Sequence, residues 1–257
     1  MPDTVVVKIG GSTLGARDTT LADVVALQRR GLRPVVVHGG GALISEWLKR
    51  HGVPTRFERG LRVTDERTLE VVVAVLAGLV NKQLVAALTA AGGRAVGLSG
   101  ADGGLLKARR LDEKLGFVGE VAEVDTRPLI VLLNGGFLPV LAPIAVEWRG
   151  EAPTEQLLNI NADTAAGAIA AALAARWLVF LTDVPGIRDE GGETLPTLSL
   201  PRAEELTTAG VIEGGMIPKV EACLRAAGAG CRSVIADGRR AGALLEAIEE
   251  KTGTVVG

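Results

Sequence analysis

Residues 5–11 read Val5-Val6-Val7-Lys8-Ile9-Gly10-Gly11, and a second run, Val35-Val36-Val37-His38-Gly39-Gly40-Gly41, repeats the pattern of a buried strand that ends in glycines. Because glycine has no Cβ, the backbone N–H groups of such a turn can approach an anion closely. A helix that follows the turn directs its positive end to the same point. The two runs therefore predict a site for anions at the ends of two strands.

Outward from these runs, strand-like and helix-like segments alternate along the chain. This succession predicts an α/β fold with an open, mainly parallel central sheet sandwiched by helices. Several strand-like runs are apolar on both faces, as a buried parallel sheet requires. The predicted strands are 5–9, 34–37, 94–98, 138–144, 177–181 and 233–236. The predicted helices are 18–30, 43–51, 66–91, 163–175, 215–227 and 242–251. Two short segments of a more polar stretch, 106–109 and 117–121, are expected to pair as a hairpin at the sheet edge.

Composition limits the classes of partner. The 257 residues include 28 basic and 30 acidic side chains, a net charge of −2, which gives no electrostatic reason to expect nucleic acid or an anionic membrane. The longest apolar runs, 69–79 and 164–173, are too short or too rich in alanine to span a bilayer, and no charged-then-apolar leader precedes Val5. We therefore expect a cytoplasmic protein.

The cysteines and histidines carry little signal for metal binding. Cys223 and Cys231 are eight positions apart, without C-x-x-C spacing or a nearby histidine, so we expect two buried thiols. His38 lies at the mouth of a glycine turn, where it either orders the loop or contacts a ligand. His51 is predicted to lie at a helix end.

The predicted helix 66–91 is apolar around nearly its whole circumference between residues 69 and 80. One contact with the core of its own subunit cannot cover such a helix. We expect one face to pack against a second copy of the chain, as a homodimer; the alternative is a helix buried between the sheet and a loop of one subunit.

Three further segments carry candidate chemistry. No P-loop sequence occurs, so a phosphate-binding lysine must come from elsewhere. Lys8 stands at the carboxyl end of the first predicted strand, the side where open α/β sheets bind ligands. Lys219 falls in the first turns of a helix, where a cation costs stability unless an anion lies nearby. The run Asn159-Ile160-Asn161-Ala162-Asp163-Thr164 starts another helix with two amides and a carboxylate, more polar groups than one N-cap needs. The turn 181–187 suits a nucleotide, although it also reads as an ordinary turn.

Nine short motifs, in order along essentially the whole chain, resemble those of the amino acid kinase family. Each motif alone is weak, but the ordered set is specific, and 60–65 with 159–163 favour the branch that phosphorylates the γ-carboxylate of N-acetyl-L-glutamate in arginine biosynthesis. The motifs are Lys8-Ile9-Gly10-Gly11-Ser12, His38-Gly39-Gly40-Gly41, Gly60-Leu61-Arg62-Val63-Thr64-Asp65, Gly97-Leu98-Ser99-Gly100, Gly116-Phe117-Val118-Gly119-Glu120-Val121, Asn134-Gly135-Gly136-Phe137, Asn159-Ile160-Asn161-Ala162-Asp163, Thr182-Asp183-Val184-Pro185-Gly186 and Gly215-Met216-Ile217-Pro218-Lys219.

The resemblance implies an ATP-dependent kinase with three groups of site residues and a Mg²⁺ ion held by the nucleotide rather than by protein carboxylates. The catalytic group is Lys8, Asp163 and Lys219. The group for the amino-acid substrate is Gly40, Gly41, Arg62, Asn159 and Asn161. The nucleotide group is Gly10, Gly11, Thr182, Asp183, Val184, Gly186, Ile187, Val211 and Glu213. Residues 1–175 would form a lobe for the amino-acid substrate and dimerisation, and residues 176–257 a lobe for ATP.

Two alternatives to this interpretation stay open. One is a kinase for a related acylated amino acid, such as the aminoadipate derivative of lysine biosynthesis. The other is a sensor on the same fold that binds an amino acid or nucleotide without catalysis, although such a protein would be expected to lack a lysine at the phosphoryl group. Family members inhibited by arginine carry an additional N-terminal helix. Only residues 1–4 precede the first predicted strand, so the resemblance implies a dimer insensitive to arginine.

Overall fold

The computed structural model describes residues 3–10 and 19–257. Its strands are β1 Thr4–Ile9, β2 Arg33–His38, β3 Phe57–Glu58, β4 Leu61–Arg62, β5 Ala95–Ser99, β6 Leu106–Arg110, β7 Val118–Val124, β8 Leu138–Ala142, β9 Ile144–Arg149, β10 Ala152–Ile160, β11 Trp177–Thr182, β12 Thr197–Leu198, β13 Arg232–Asp237 and β14 Thr254–Val256. Its α-helices are α1 Thr20–Arg29, α2 Gly41–Arg50, α3 Glu66–Val73, α4 Asn81–Ala90, α5 Arg127–Asn134, α6 Ala162–Ala172, α7 Leu200–Thr208, α8 Ile217–Ala227 and α9 Ala243–Ile248.

Eight strands form the central sheet, in the order β12-β14-β13-β11-β1-β2-β8-β5. All neighbouring pairs are parallel except β13 with β14, so the predicted mainly parallel sheet is confirmed. Side chains that alternate along β1 enter different cores: Val6 packs with α6 and α8, whereas Val5 and Val7 pack with α1, α4 and α9. Both faces of the sheet are therefore covered, which explains why its central strands are apolar throughout.

The predicted hairpin forms, but its predicted place at the edge of the main sheet is wrong. β6 and β7 pair antiparallel, and together with β9 and β10 they close a separate four-stranded barrel. Gly119 makes this closure possible, because a Cβ at this position would lie 2.8 Å from Leu158 Cδ1. The predicted strand 138–144 is divided at Pro143 into β8 and β9, since proline has no N–H group to continue a strand ladder.

The long predicted helix is continuous over Glu66–Ala90, with a π-helical segment, Ala74–Val80, between α3 and α4. Among the described residues it is the one helix long and apolar enough to cross a membrane by length and composition, with a mean hydropathy of 2.0. The expectation that the apolar runs are too short therefore holds for residues 69–79 but not for the whole helix. Core helices of soluble proteins meet the same criteria. Val72, Val75 and Leu88 are fully buried, but only 33% of the most apolar 18-residue window of this helix is buried.

The predicted lobe boundary at residues 175/176 lies between α6 and β11. The central sheet continues through it, since β1 from the first lobe pairs in parallel with β11 from the second. This pairing places the carboxyl ends of both strands at one edge of the sheet.

Candidate functional site

The centre of the site depends on close contact between α6 and α8. A Cβ on Gly167 of α6 would lie 2.6 Å from the Cβ of Ala222 on α8, so only glycine permits this approach. Gly167 lies one turn after Asp163, and Ala222 lies about one turn after Lys219. Residues one turn apart share a helix face, so the same contact brings Asp163 and Lys219 together.

Asp163 lies between the two predicted catalytic lysines. Its Oδ2 accepts a hydrogen bond from Lys219 Nζ at 3.0 Å. Its Oδ1 forms an ion pair with Lys8 Nζ at 2.7 Å, without hydrogen-bond geometry. Only 8% of the Asp163 side chain is exposed, against 10% for Lys8 and 14% for Lys219. The structure thus joins three residues that the sequence places 155 and 56 positions apart.

Local structure accounts for each of these positions. Lys8 lies near the carboxyl end of β1, and Asp163 lies in the first turn of α6, where a helix favours a negative charge. Lys219 lies in the first turn of α8, and its Nζ also donates to the carbonyl oxygen of Gly215 at 2.8 Å. A lysine in the first turn of a helix costs stability unless an anion lies nearby, and Asp163 supplies that negative charge for Lys219.

Beside this cluster lies a cavity of about 200 Å³. Its polar lining comes from β1, the turn before α2, β4 and the segment from β10 into α6. Three cations lie at or beside it, Lys8, Lys219 and Arg62, against the single carboxylate of Asp163. The excess of positive charge suits an anionic ligand. The predicted substrate residues Gly40, Gly41, Arg62, Asn159 and Asn161 all line it.

Arg62 is 7% exposed, and burial lowers the pKa of its guanidinium below the usual value. Its Nη2 donates to the carbonyl oxygen of Gly41 at 3.0 Å and to Ser45 Oγ at 2.9 Å. Its Nη1 is buried and has no hydrogen-bond partner among the described residues. The guanidinium also stacks over the ring of Phe57, 4.7 Å from its centroid. A buried donor without a partner raises the free energy of the folded state. The Nη1 group of Arg62 therefore suits a ligand that accepts hydrogen bonds.

Gly40 and Gly41 lie at the start of α2, where a helix leaves its first N–H groups without partners in the helix. A Cβ on Gly40 would lie 2.6 Å from Leu76 Cδ2 of the π-helical segment. The long helix therefore packs directly against the loop that carries Gly40 and Gly41, whose N–H groups have no hydrogen-bond partner in the part of the chain that the structure describes.

His38 orders that loop. Its Nδ1 lies 3.0 Å from the carbonyl oxygen of Gly39, and its Nε2 lies 3.2 Å from Nδ2 of Asn81. A neutral imidazole that donates at Nδ1 and accepts at Nε2 satisfies both contacts. Burial lowers the pKa of His38 to about 4, so it is neutral near pH 7. Of the two roles left open for His38, the geometry favours ordering of the loop.

The two asparagines are used differently. Asn161 is the N-cap of α6, and its Oδ1 accepts from the N–H groups of Asp163 and Thr164 at 2.8 and 3.2 Å. Asn159 donates from Nδ2 to Thr64 Oγ1 at 3.2 Å. The two capping bonds explain why position 161 has an amide side chain. Asn161 also lines the cavity, so its contact with the substrate stays a prediction.

Apart from Gly10 and Gly11, the predicted nucleotide residues lie at the end of β11 and in the turns that follow β11 and α7. Thr182 ends β11 and donates to Asp183 Oδ1 at 3.2 Å, while Asp183 is exposed. Ile187 is buried, and its N–H donates to Thr254 Oγ1 at 2.8 Å, so its side chain belongs to the core. The remaining members of this group are Val184 and Val211, which are half-buried, Gly186, which is buried, and Glu213, which is exposed.

The first glycine turn is described only in part. Gly10 donates its N–H to the carbonyl oxygen of Leu181 at 3.2 Å, so that donor is already engaged by the neighbouring strand. Gly11 lies outside the described residues, and the roles predicted for both glycines stay predictions.

Comparison with known proteins agrees with this geometry. The sequence pattern of the amino acid kinase family matches residues 3–237. The chain belongs to the amino acid kinase family. It is 44% identical over 254 residues to an acetylglutamate kinase of Dehalococcoides mccartyi, covering 98% of this chain and 93% of the relative. It is 49% identical over 249 residues to an acetylglutamate kinase of Synechococcus, covering 94% of this chain and 82% of the relative.

Solved structures place the chain in the same fold. The smu.665 protein from Streptococcus mutans UA159 superposes with a TM-score of 0.85 at 31% identity, covering 100% of this chain and 99% of that one. An N-acetylglutamate synthase from Neisseria gonorrhoeae, complexed with coenzyme A and N-acetyl-glutamate, superposes with a TM-score of 0.83 at 28% identity. The match covers 99% of this chain and 59% of the synthase. Both superpositions support the amino acid kinase fold of this chain.

Carboxylates for a metal are scarce in this member of the amino acid kinase family. Within residues 3–10 and 19–257, no group of three or more His, Cys, Asp or Glu side chains could hold a metal ion. Both oxygens of Asp163 already contact lysines, so it is not a free ligand. The residues present fit a metal ion that binds mainly to the phosphates of a nucleotide.

The cysteines are buried and unbridged, as expected. Burial raises the pKa of both Cys223 and Cys231 to about 12, so neither is a nucleophile near neutral pH.

No spacing or residue pattern in the sequence indicates individual roles for Ser45, Thr64 or Asn81. Asn81 is fully buried, and its Nδ2 contacts His38 and the carbonyl oxygens of Leu98 and Val140. Asn81 directly follows the apolar run 69–80 and precedes Lys82 and Gln83, so its position in the sequence does not distinguish it from a solvent-exposed amide. Thr64 belongs to a quoted family motif, but nothing in its spacing shows which residues its hydroxyl would contact.

Proposed function

We propose that this protein transfers the γ-phosphoryl group of ATP to the γ-carboxylate of N-acetyl-L-glutamate and so produces N-acetyl-L-glutamyl 5-phosphate. A carboxylate oxygen attacks the γ-phosphorus, the bond to the bridging oxygen breaks, and ADP leaves. The observation that carries the proposal is the Lys8–Asp163–Lys219 cluster beside a cation-rich cavity. The names of the relatives and the step of arginine biosynthesis that they imply support the choice of substrate.

The main physical obstacle is repulsion between two anions. Lys8 and Lys219 would neutralise the equatorial oxygens of the phosphoryl group during transfer, and such electrostatic stabilisation supplies most of the rate enhancement in phosphoryl transfer. Asp163 would keep the two ammonium groups in place and limit their mutual repulsion. Because the attacking carboxylate is already ionised near pH 7, the reaction needs no general base. His38 forms hydrogen bonds that order the loop, which agrees with a reaction that needs no general base.

On the acceptor side, Arg62 would bind the α-carboxylate. Its unpartnered Nη1 supports this role, and its Nη2 bonds to Gly41 and Ser45 keep the planar fork in one orientation. The N–H groups of Gly40 and Gly41 would orient the attacked γ-carboxylate. Asn159 and Asn161 would contact the amino-acid part of the substrate.

On the nucleotide side, the turns after β11 and α7 would hold ATP, with Gly10 and Gly11 near its β- and γ-phosphates. Mg²⁺ would bridge the phosphates and reduce their negative charge. Apart from Gly10 and Gly11, which belong to residues 1–175, this division of roles corresponds to lobes 1–175 and 176–257.

The long helix supports a homodimer, and we propose a cytoplasmic one. Ala74 and Gly78 are exposed and Leu79 is only half-buried on this apolar helix, so a second copy would cover a face that the subunit leaves open. Size-exclusion chromatography with light scattering measures the mass directly. A monomer at micromolar concentration would disprove the dimer.

The test of the activity is consumption of ATP with a panel of acceptors: N-acetyl-L-glutamate, glutamate, aspartate and an acylated aminoadipate. We expect the highest kcat/KM for N-acetyl-L-glutamate, with an acyl phosphate product that hydroxylamine traps as a hydroxamate. A preference for the aminoadipate derivative would reassign the substrate. No turnover with any acceptor, together with binding of nucleotide, would indicate the sensor.

A further inference from the structure

Thr64 is completely buried behind the cavity wall, and its hydroxyl contacts two lining segments. Oγ1 donates a hydrogen bond to the carbonyl oxygen of Arg62 at 2.8 Å. The same Oγ1 accepts a hydrogen bond from Asn159 Nδ2 at 3.2 Å. One hydroxyl thus joins the segment that carries Arg62 to Asn159 at the end of β10.

The number of available protons determines how Asn159 is oriented. A threonine hydroxyl has one proton, and the carbonyl oxygen of Arg62 can only accept it. Toward Asn159 the hydroxyl must therefore act as an acceptor, which selects the NH₂ end of the carboxamide for this contact. Asn159 Oδ1 is left on the other side, and it has no hydrogen-bond partner within residues 3–10 and 19–257. Among the described residues, no other contact of the side chain selects one orientation of the amide over its reverse.

The backbone around Thr64 is held without the hydroxyl. Its N–H donates to the carbonyl oxygen of Leu115 at 2.9 Å, and its carbonyl oxygen accepts from Phe117 at 2.7 Å. Asn159 donates its own N–H to the carbonyl oxygen of Phe117 at 2.9 Å. Loss of the hydroxyl would thus free the Asn159 amide while the strands that carry it stay in register.

We propose that Thr64 is a positioning residue for the acyl amino-acid substrate, because its hydroxyl fixes the orientation of the Asn159 carboxamide. Thr64 does not contact the ligand and acts through Asn159. The inference rests on the proposed function, since it assigns Arg62 and Asn159 to the substrate.

The experiment compares steady-state kinetics of the wild type with Thr64→Val, Thr64→Ser and Thr64→Cys. Valine keeps the branched shape without the hydroxyl, so we expect KM for N-acetyl-L-glutamate to rise about tenfold, the effect of one lost hydrogen bond. We expect kcat and KM for ATP to stay within about twofold, because neither depends on the substrate amide. Serine restores the hydroxyl and should restore KM, while the weakly bonding thiol of cysteine should give an intermediate value.

A double-mutant cycle with Asn159→Ala separates positioning from general damage to the fold. If Thr64 acts through Asn159, adding Thr64→Val to Asn159→Ala should raise KM much less than it does in the wild type. Equal, additive increases would overturn the inference, as would a Thr64→Val enzyme that loses thermal stability but keeps both KM values. If Thr64→Val does not fold, the serine and cysteine enzymes still test it, and an unchanged KM in the cysteine enzyme refutes it.

The same measurements separate the two proposals. A wild-type enzyme that does not phosphorylate N-acetyl-L-glutamate overturns the proposed function. An active wild type whose KM is unaffected by Thr64→Val overturns the role of Thr64 alone.

Discussion

Substitution of Gly167 by alanine should impair catalysis at a position that touches no substrate. The added Cβ would lie 2.6 Å from Cβ, 2.8 Å from Cα and 2.9 Å from the carbonyl oxygen of Ala222. Since non-bonded carbon atoms settle about 3.5–4.0 Å apart, α6 and α8 would have to separate by about 1 Å. The bond between Lys219 Nζ and Asp163 Oδ2, now 3.0 Å, joins the same two helices and would lengthen with them.

Two effects on stability oppose each other in Gly167→Ala. Alanine favours a helix over glycine by about 1 kcal/mol, whereas overpacking costs about 1–3 kcal/mol. The net loss is about 0–2 kcal/mol, a decrease in Tm of at most about 8 °C for a chain of this size. A displacement of about 1 Å in the catalytic cluster should nevertheless lower kcat about 100-fold.

The assay is ATP consumption at saturating substrate, with thermal unfolding followed on the same preparation. The matched control is Gly228→Ala at the end of α8, where φ is −58° and the nearest atom to a new Cβ lies 3.5 Å away, so kcat should not change. Adding Ala222→Gly to Gly167→Ala removes the shortest contact and should recover part of kcat. A folded Gly167→Ala enzyme with wild-type kcat would refute the argument that helix contact sets the Lys219–Asp163 geometry.

Three other substitutions test individual side chains. Lys8→Ala should lower kcat by about 100-fold or more, with a smaller change in KM, because the contact of Lys8 with the phosphoryl group strengthens in the transition state. The control is Lys251→Ala, which removes an exposed lysine. An unchanged kcat in Lys8→Ala contradicts a catalytic role for Lys8. Arg62→Lys should raise KM for N-acetyl-L-glutamate by about 10- to 100-fold, since lysine lacks the bidentate fork; an unchanged KM excludes the proposed binding of the α-carboxylate. His38 has a folded-state pKa of about 4, below its unfolded value of 6.5, so the unfolded chain binds more protons between these values. The free energy of unfolding should therefore fall by up to about 3 kcal/mol as pH decreases from 6.5 to 4. His38→Gln should remove this slope in denaturant titrations, whereas exposed His51→Gln should keep it; equal slopes contradict the assignment.

Much of the fold could be predicted from local patterns in the sequence. The apolar strands, their alternation with helices and the pairing of segments 106–109 and 117–121 all follow from periodicity and turn residues. The barrel could not be predicted in this way, because its closure depends on the pairing of β9 with β6 and of β10 with β7, strands that are distant along the chain. It also depends on Gly119, which leaves room for Leu158. Local patterns also do not show the π-helical segment, which is defined by hydrogen bonding along the helix rather than by residue type.

The sequence by itself determined the inventory of the site: two glycine turns, a lysine at a strand end, a lysine at a helix start, and a helix start with more polar groups than a cap requires. Only the tertiary structure decided which of them meet. The packing of α6 on β1 and the glycine contact between α6 and α8 bring Lys8, Asp163 and Lys219 within 3.0 Å contacts. The hydroxyl of Thr64 likewise gains its role from burial against Asn159. Such contacts depend on the packing of distant elements, and no spacing within a single segment encodes them.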